Sequence, residues 1–293
     1  MTLRGNPVLD EGEARFTDAD FAVIARLARA DFGLHLTGSK KDLVYARLAR
    51  RLRHLRLHSF RAYCDLLEGP GGAEERVHLL SALTTNVTHF FREAHHFQLL
   101  RGTVLPPLIK AARDGRRVRI WSAGCSAGQE PYSLAFTLLD LCPEAGRLDI
   151  RILASDADPA ILRRAEAGVY PAEEMKALPV AARRLTDPAP NGAFAIAPKA
   201  RALVRFGALN LMQAWPMRGP FDIIFCRNVA IYFDKDTQSR LWHRFAGLIP
   251  EGGHLFIGHS ERVAGPAEAA FRGIGMTAYC KLAETGDQGG LPR

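Results

Sequence analysis

Five short apolar runs, the first of which begins at residue 118, most constrain what this chain can fold into. In order they read VRIWSAG, DIRILASD, LVRFGAL, FDIIFCRN and HLFIGH. Each run is rich in branched apolar residues, and helical segments separate several of them, which is typical of buried parallel strands. This alternation predicts an α/β fold built on a doubly wound sheet.

The polar residues at the ends of these runs predict where a ligand binds. Ligands of doubly wound sheets lie beyond the carboxyl ends of the strands. The residues at those positions are the stretch 124–128, Asp156, Asn210, Asn228 and His259. We therefore expect the functional site at this edge of the sheet.

Two other regions depart from the strand and helix alternation. Residues 16–95 show only helical patterns, with an S/T-x-x-D start at Thr17 and a glycine suited to a C-cap at Gly33. Between Tyr170 and Leu203, prolines surround the turn signal Asn191-Gly192, which predicts a small helix and a few antiparallel strands. The expected division is a helical domain at 15–95, an α/β domain at 96–283 with a β-subdomain inserted at about 170–203, and a disordered tail at 284–293.

The composition favours a cytoplasmic protein without a bound metal. The sequence contains no apolar run of the roughly 18 residues needed to span a membrane, and its first residues lack the apolar core of a signal peptide. The five cysteines are odd in number and widely spaced, with no C-x-x-C pair. They therefore predict neither a zinc site nor a disulfide framework.

The net charge of +8 implies an acidic partner, which could be nucleic acid, a lipid surface or an acidic protein. Part of that charge lies on a helix predicted from about Ser39 to Leu57. One face of this helix carries Arg47, Arg50, Arg51 and His54. A solvated helix face would explain the pattern, but four neighbouring cations with no interleaved glutamate favour a docking site for an acidic surface.

The stretch GCSAGQEPYS, residues 124–133, permits two interpretations. Its first half matches the G-x-S-x-G nucleophile elbow of serine hydrolases, with Ser126 as the nucleophile. It also matches a glycine-rich turn that brings backbone close to a cofactor at a helix N-terminus. Ser126 follows the first strand, and no oxyanion segment precedes it, so the cofactor turn is favoured.

Asp156 strengthens the cofactor interpretation. An acid at the end of the second strand accepts hydrogen bonds from ribose hydroxyls in nucleoside-binding folds. Asp158, which precedes Pro159, can cap the next helix and so leave Asp156 for that role. The spacing of Gly124 and Gly128 lacks the full G-x-G-x-x-G pattern of hydride-transfer enzymes.

Six segments in a fixed order resemble the CheR-type chemoreceptor glutamate methyltransferases, from about Phe16 to Leu282. They are ALTTNVTHFFREAHHF, WSAGCSAGQEPYSLA, ILASDAD, RFGALNL, FDIIFCRNVAIYFD and GHSE. The resemblance implies an S-adenosylmethionine-dependent enzyme that esterifies glutamates on the cytoplasmic helices of chemotaxis receptors and releases S-adenosylhomocysteine. It also implies an all-α N-terminal domain, a Rossmann-like catalytic domain and an inserted β-subdomain.

The resemblance assigns site residues position by position. Together with Gly124 of the turn, the implied cofactor contacts are Asn86, Thr88, Arg92, Glu130, Asp156, Asn210, Leu211, Arg227 and Asn228. Arg92 and Tyr232 match the positions most important for catalysis. A glutamate carboxylate is already anionic at neutral pH, so methyl transfer needs alignment and an orienting donor rather than a strong base. Without the resemblance, Arg92 would be assigned to an ion pair with Glu93 and Tyr232 to the core.

The sequence allows two ways in which the enzyme could recognise its acceptor, through a receptor C-terminal peptide or through the basic face. The segment LTDPAPNGAFAIAP is shorter than the glycine-rich loop of family members that bind a peptide at the receptor C-terminus, so we do not expect that docking. The basic face is expected to bind acidic methylation helices instead. The expected partners exclude nucleic acid and membrane insertion, and the expected state is a monomer.

Two rival functions share the cofactor. Methyltransferases that act on the exocyclic amines of nucleic-acid bases commonly end the fourth strand in an Asp/Asn-Pro-Pro-aromatic loop, whereas CRNVAIY stands here. A module that binds S-adenosylmethionine and signals without turnover is the second rival, and Arg92 and Tyr232 argue against it. His259, Ser260 and Glu261 are either a polar exit loop or acceptor contacts.

Overall fold

A computed structural model describes residues 15–283 of the chain. The predicted tail at 284–293 lies outside the described residues. Contacts divide the chain into two compact units after Thr85. The sequence placed this boundary after residue 95. The segment from Asn86 belongs with the second unit because Phe90 packs on Phe136 and the Phe91 amide donates to Ser133 Oγ at 2.9 Å.

The described part of the first unit, residues 15–85, contains four α-helices, as its sequence pattern predicts, and a 3-10 turn at Gly38–Lys40. The α-helices are α1 (Asp18–Phe32), α2 (Lys41–Leu55), α3 (Phe60–Glu68) and α4 (Gly72–Leu83). Thr17 and Asp20 form the expected capping box of α1, and Gly33 ends this helix in the left-handed conformation with φ 72°. Ser59 caps α3 through a bond from the Ala62 amide. A fully buried core links these helices through Ile24, Val44, Leu48, Phe60, Tyr63, Leu67 and Leu79.

The second unit contains a seven-stranded sheet with helices between its strands. Its helices are α5 (Ala94–Leu99), α6 (Leu105–Arg113), α7 (Gln129–Leu141), α8 (Pro159–Ala167), α9 (Val180–Arg183), α10 (Pro198–Arg201) and α11 (Lys235–Leu248). Its strands are β1 (Val118–Ala123), β2 (Ile150–Asp156), β3 (Val169–Tyr170), β4 (Thr186–Pro188), β5 (Phe194–Ile196), β6 (Val204–Ala208), β7 (Ile223–Cys226), β8 (His254–Ile257), β9 (Phe271–Gly275) and β10 (Ala278–Lys281).

The large sheet has the order β6-β2-β1-β7-β8-β10-β9. The five predicted runs form its parallel strands, with Ile120 of β1 opposite Ile152 of β2 and Ile223 of β7. The strand order therefore reverses between β1 and β7, which is the point where doubly wound sheets bind ligands. The doubly wound α/β prediction is confirmed.

The antiparallel strands β9 and β10 complete the sheet and were not predicted. Their pattern is weak because Gly273 and Gly275 interrupt β9, and glycine is depleted in strands. The tight connection between them includes Thr277 at φ 50°. None of the helices within residues 15–283 combines the length and apolar character needed to cross a bilayer.

The inserted subdomain is a three-stranded antiparallel sheet of order β3-β5-β4. The fully buried Tyr170 joins this subdomain to the glycine turn, because its hydroxyl donates to the Ala127 carbonyl at 2.7 Å. The subdomain therefore supports the turn that follows β1.

Candidate active site

The turn between β1 and α7 has a backbone that depends on its glycines. Gly124, Ser126 and Gly128 have φ values of 80°, 49° and 94°. A Cβ added to Gly124 would lie 2.4 Å from Val229 Cγ2, and one added to Gly128 would lie 2.8 Å from Tyr170 Oη. Both positions thus require glycine for conformation and for space.

Asp156 at the end of β2 holds this turn. Its Oδ2 accepts from the Ser126 amide at 2.8 Å, and its Oδ1 accepts from the Asp158 amide at 3.1 Å. Asp158 caps α8 as the sequence suggested, with Oδ1 accepting from the Ala160 amide at 2.8 Å. Burial raises the pKa of Asp156, although the amides favour its ionised form.

The geometry gives no support to a serine nucleophile. Ser126 Oγ contacts the Asn86 carbonyl oxygen at 3.4 Å, and no histidine of the described residues bonds to it. His259 lies instead beside Glu93, with Nδ1 3.3 Å from Oε1.

A buried arginine lies at the centre of the polar cluster. The Arg227 side chain is only 1% exposed, and its Nη1 lies 3.3 Å from Glu130 Oε2. Its Nη2 lies 3.5 Å from Glu93 Oε2 and donates to the Arg92 carbonyl. The guanidinium therefore links the end of β7 to α7 and to the segment before α5.

The two carboxylates beside Arg227 differ in environment. Burial raises the pKa of Glu130, while Arg227 and the Ser122 hydroxyl, which donates at 2.7 Å, favour its ionised form. Burial also acts to raise the pKa of Glu93, but Arg227 and His259 together hold it below its ordinary value. Glu93 has φ 57° and was predicted only as a surface partner of Arg92.

Arg92 does not form that surface ion pair. Its Nη1 donates to the Val87 carbonyl at 2.9 Å, while the Glu93 carboxylate pairs with Arg227 and His259. The Arg92 side chain is half-buried. Its backbone carbonyl accepts from Arg227, which connects this segment to the polar cluster.

Glu93, His95 and His96 place three ligand-type atoms within 4.8 Å of one another. His96 is fully buried, burial lowers its pKa to about 4, and its Nε2 lies 2.9 Å from the Met276 carbonyl. The Arg227 cation beside Glu93 opposes a divalent ion at this cluster. The absence of a metal remains a prediction from the sequence.

The remaining predicted cofactor contacts lie on three loops of the second unit. Asn86 and Thr88 precede Arg92, and Asn86 reaches the glycine turn through its carbonyl. Asn210 follows β6, where its Oδ1 accepts from the Met212 amide at 2.9 Å, and the carbonyl of the buried Leu211 accepts from Arg244 at 2.5 Å.

Asn228 and Tyr232 lie on the loop after β7. Asn228 adopts φ 60°, and Tyr232 is half-buried at the end of a short 3-10 turn, Ala230–Tyr232. Direct contacts thus connect Arg92, Glu130 and Arg227 in one cluster and Asn86, Asp156 and the glycine turn in another.

The four residues of the predicted basic face differ in their surroundings. Arg47 donates to the Leu83 carbonyl and, at 2.6 Å, to Thr85 Oγ1. Arg51 makes a two-pronged pair with Glu75 at 2.9 and 2.6 Å, and Glu75 also accepts from the Tyr63 hydroxyl. Arg50 and His54 are exposed. The acidic partner of Arg51 is thus Glu75 of α4. The residue spacing within α2 could not predict this partner, because it lies on a different helix.

These features fit a nucleoside cofactor that carries positive charge. The glycine turn opens at the N-terminus of α7, and Asp156 ends the neighbouring strand. Asn228 Oδ1, Arg227 Nε and Glu93 Oε2 are buried without a hydrogen-bond partner. Such atoms are uncommon unless a ligand or water completes them.

Comparisons with known proteins agree with this geometry. The family model "CheR methyltransferase, all-alpha domain" matches residues 19–84, and "CheR methyltransferase, SAM binding domain" matches residues 86–280. A "Probable chemotaxis protein methyltransferase" of Rhizobium etli is 50% identical over 254 residues, which cover 85% of this chain and 95% of that protein.

Two further relatives have similar coverage. "Chemotaxis protein methyltransferase 2" of Pseudomonas aeruginosa is 41% identical, with 95% of this chain and 98% of that protein covered. "Chemotaxis protein methyltransferase" of Escherichia coli is 41% identical, with 90% and 91% covered. With both family domains matched and relatives aligned over nearly their full lengths, the chain belongs to the CheR methyltransferase family.

Proposed function

We propose that this chain transfers the methyl group of S-adenosylmethionine to glutamate side chains on the cytoplasmic helices of chemoreceptors. The observation that carries the proposal is the joint match of both CheR domains over residues 19–280. The relatives named above are chemotaxis methyltransferases, which supports receptors as the acceptors. Since those helices are cytoplasmic, the enzyme would act in the cytoplasm.

The residues that would hold the cofactor surround the switch point of the sheet. Asp156 would accept from the ribose hydroxyls, and the glycine turn would let backbone approach the nucleoside. Glu130 and Asn228, with Asn86, Thr88, Asn210 and Leu211, would complete the site. Bound S-adenosylmethionine would supply an electrophilic methyl group, with the neutral thioether S-adenosylhomocysteine as the leaving group.

The acceptor glutamate needs orientation more than activation. One carboxylate oxygen forms a bond to the methyl carbon as the carbon–sulfur bond breaks, so a methyl ester and a neutral thioether result. We propose that Arg92 and Tyr232 bind the oxygen that does not attack, which fixes the line of approach. Neither residue has to remove a proton in this scheme.

We propose that Arg50 and His54 contribute to recognition of the acidic receptor helices. Both are exposed, whereas Arg47 and Arg51 are engaged within their own unit. The remaining expectations, a monomer that binds no nucleic acid and does not insert into membranes, belong to the same proposal.

The test is transfer of tritiated methyl from S-adenosylmethionine to the cytoplasmic fragment of a receptor from the same organism. Transfer RNA and DNA serve as parallel acceptors. Mild alkali then distinguishes the products, because glutamyl methyl esters release methanol while N-methyl and C-methyl groups do not. We expect alkali-labile label on the receptor, lost in Arg92→Ala and reduced in Tyr232→Phe.

The control is Arg272→Ala, an exposed arginine on β9, which should retain full transfer. Alkali-stable label on nucleic acid would instead establish the nucleic-acid methyltransferase. Tight cofactor binding without transfer to any acceptor would establish the non-catalytic module.

A further inference from the structure

Glu261 is a buried carboxylate whose hydrogen bonds all come from backbone amides. The residue is 3% exposed. Its Oε2 accepts from the Gly258 amide at 2.5 Å and from the Asn228 amide at 3.2 Å, and its Oε1 accepts from the Ile231 amide at 3.2 Å. Within residues 15–283, no lysine, arginine or histidine forms an ion pair with it.

Burying a carboxylate without a cation is costly, so the bonds that it makes must be strong ones. Burial raises the pKa of Glu261, while the amides of Gly258, Asn228 and Ile231 favour the ionised form. Hydrogen bonds to an ionised acceptor are roughly twice as strong as those between neutral groups. A carboxylate at this position therefore holds the loop after β7 more firmly than a neutral side chain could.

Two of the amides that Glu261 binds belong to the loop after β7, at or next to its predicted site residues. Asn228 lies at φ 60°, a conformation that an asparagine adopts only at some energetic cost. Ile231 lies inside the 3-10 turn that ends at Tyr232. Glu261 thus fixes the backbone at the predicted cofactor contact and at the residue before the predicted catalytic phenol.

The packing around Gly258 is independent evidence that the end of β8 lies tightly against the loop after β7. A Cβ at this position would lie 2.7 Å from Asn228 Nδ2 and 2.9 Å from Glu261 Oε2. Real Cβ atoms do not approach other atoms so closely, so only glycine lets the end of β8 come this near to the loop. His259 and Ser260, by contrast, are exposed.

We propose that Glu261 is a positioning residue, which fixes the loop 227–232 so that Asn228 meets the cofactor and Tyr232 meets the acceptor glutamate. The inference rests on the proposed function, since it assigns Glu261 an effect through Tyr232. Glu261 itself is too buried to contact a receptor helix, and it acts through backbone.

The test is a double-mutant cycle between Glu261→Gln and Tyr232→Phe in the alkali-labile transfer assay. Glutamine keeps the shape but offers one acceptor oxygen and an amide donor, so it cannot satisfy all three amides. We expect kcat to fall about 10- to 100-fold in Glu261→Gln, because small misplacements of aligned groups have effects of this size. In the Tyr232→Phe background the same change should cost less than about threefold, since coupled residues are non-additive.

A structural defect alone would give a different result. S-adenosylhomocysteine affinity by calorimetry and the circular dichroism melting curve report folding and cofactor binding without any acceptor. We expect a folded Glu261→Gln protein whose cofactor affinity weakens much less than its kcat. Gly258→Ala should reproduce the loss, and Glu268→Gln, an exposed glutamate nearby, should not.

Additive losses in the cycle, or an unchanged kcat in Glu261→Gln while wild type transfers methyl, would overturn the positioning role. If Glu261→Gln does not fold, Glu261→Asp, whose carboxylate is one methylene shorter, takes its place in the cycle, and additive losses there overturn the role equally. Failure of wild type to methylate the receptor would instead count against the proposed function, so the two failures are distinguishable.

Discussion

At the scale of single residues, Arg227 links two carboxylates at the centre of the site. Its buried guanidinium lies between the carboxyl groups of Glu93 and Glu130. The guanidinium of Arg92 also favours the ionised form of Glu130, so these four side chains are neutral overall when both carboxyls are ionised. Arg227 was predicted as a cofactor contact, but its two carboxylate partners became visible only in the structure.

The raised pKa values of Asp156 and Glu130 predict a pH-dependent cofactor affinity. A raised pKa means that each carboxyl takes up a proton at a higher pH than an ordinary one, and the protonated acid loses an acceptor. Affinity for S-adenosylhomocysteine should therefore weaken as the pH falls towards these pKa values, by at most about tenfold per pH unit for each group. Calorimetric titration between pH 7.5 and pH 5 measures this.

Substitutions at Asp156 and Glu130 test whether these two carboxyl groups cause the pH dependence of cofactor affinity. Asp156→Asn and Glu130→Gln should bind more weakly at neutral pH and show a flatter profile. The exposed Asp187→Asn should match wild type throughout. A profile that stays as steep in both site variants would show that other groups control it.

Arg51 and Arg50 are neighbours on α2 with different expected roles. Arg51→Ala leaves Glu75 buried and without its cation, so it should lower the free energy of unfolding by about 2 to 4 kcal/mol. Arg50→Ala removes an exposed side chain and should change stability by less than about 0.5 kcal/mol. Urea unfolding measures both, and equal losses would contradict the assignment.

At the scale of elements, the features that could be predicted from the sequence are those that short-range residue patterns determine. The capping box at Thr17, the C-cap at Gly33 and the five parallel strands all follow from short-range patterns. Asp156 and the glycine turn lie at the strand ends as expected, and their cofactor contacts stay predictions. The Arg51–Glu75 pair and the three amides on Glu261 could not be foreseen, because each joins segments that are distant in sequence or depends on backbone direction.

The turn after β1 makes a prediction about one element. Gly124→Ala adds a Cβ at φ 80° and 2.4 Å from Val229 Cγ2, so it should displace both the turn and the loop after β7. We expect cofactor affinity to fall at least about tenfold, since strain and overlap together cost more than about 1.4 kcal/mol. The comparison is Gly146→Ala, where an added Cβ meets no atom within 4 Å. Near-equal cofactor affinities for the two variants would contradict this role of the turn.

At the scale of the whole molecule, the net charge of +8 bears on how the acceptor is found. Some of that charge stays unpaired on α2 and just after it. Arg50, Arg53 and Arg56 are exposed and form no ion pair with any described residue. Exposed cations raise the encounter rate with an acidic surface, and salt screens this effect.

Charge reversal on α2 gives the last prediction. Arg50→Glu should raise the Michaelis constant for the receptor fragment about three- to tenfold at low salt, because it replaces an attraction by a repulsion of similar size. The difference from wild type should shrink at about 0.5 M salt, where the Debye length is only a few ångströms. Affinity for S-adenosylhomocysteine should not change.

Arg272→Glu on β9 introduces the same change of charge on an edge strand of the other unit, and it separates local recognition from total charge. If both reversals raise the Michaelis constant equally, net charge alone attracts the receptor and α2 has no special part. If only Arg50→Glu does so and its effect disappears with salt, the acceptor helix contacts this helix. A loss of cofactor affinity in Arg50→Glu would place the defect in the fold rather than in recognition.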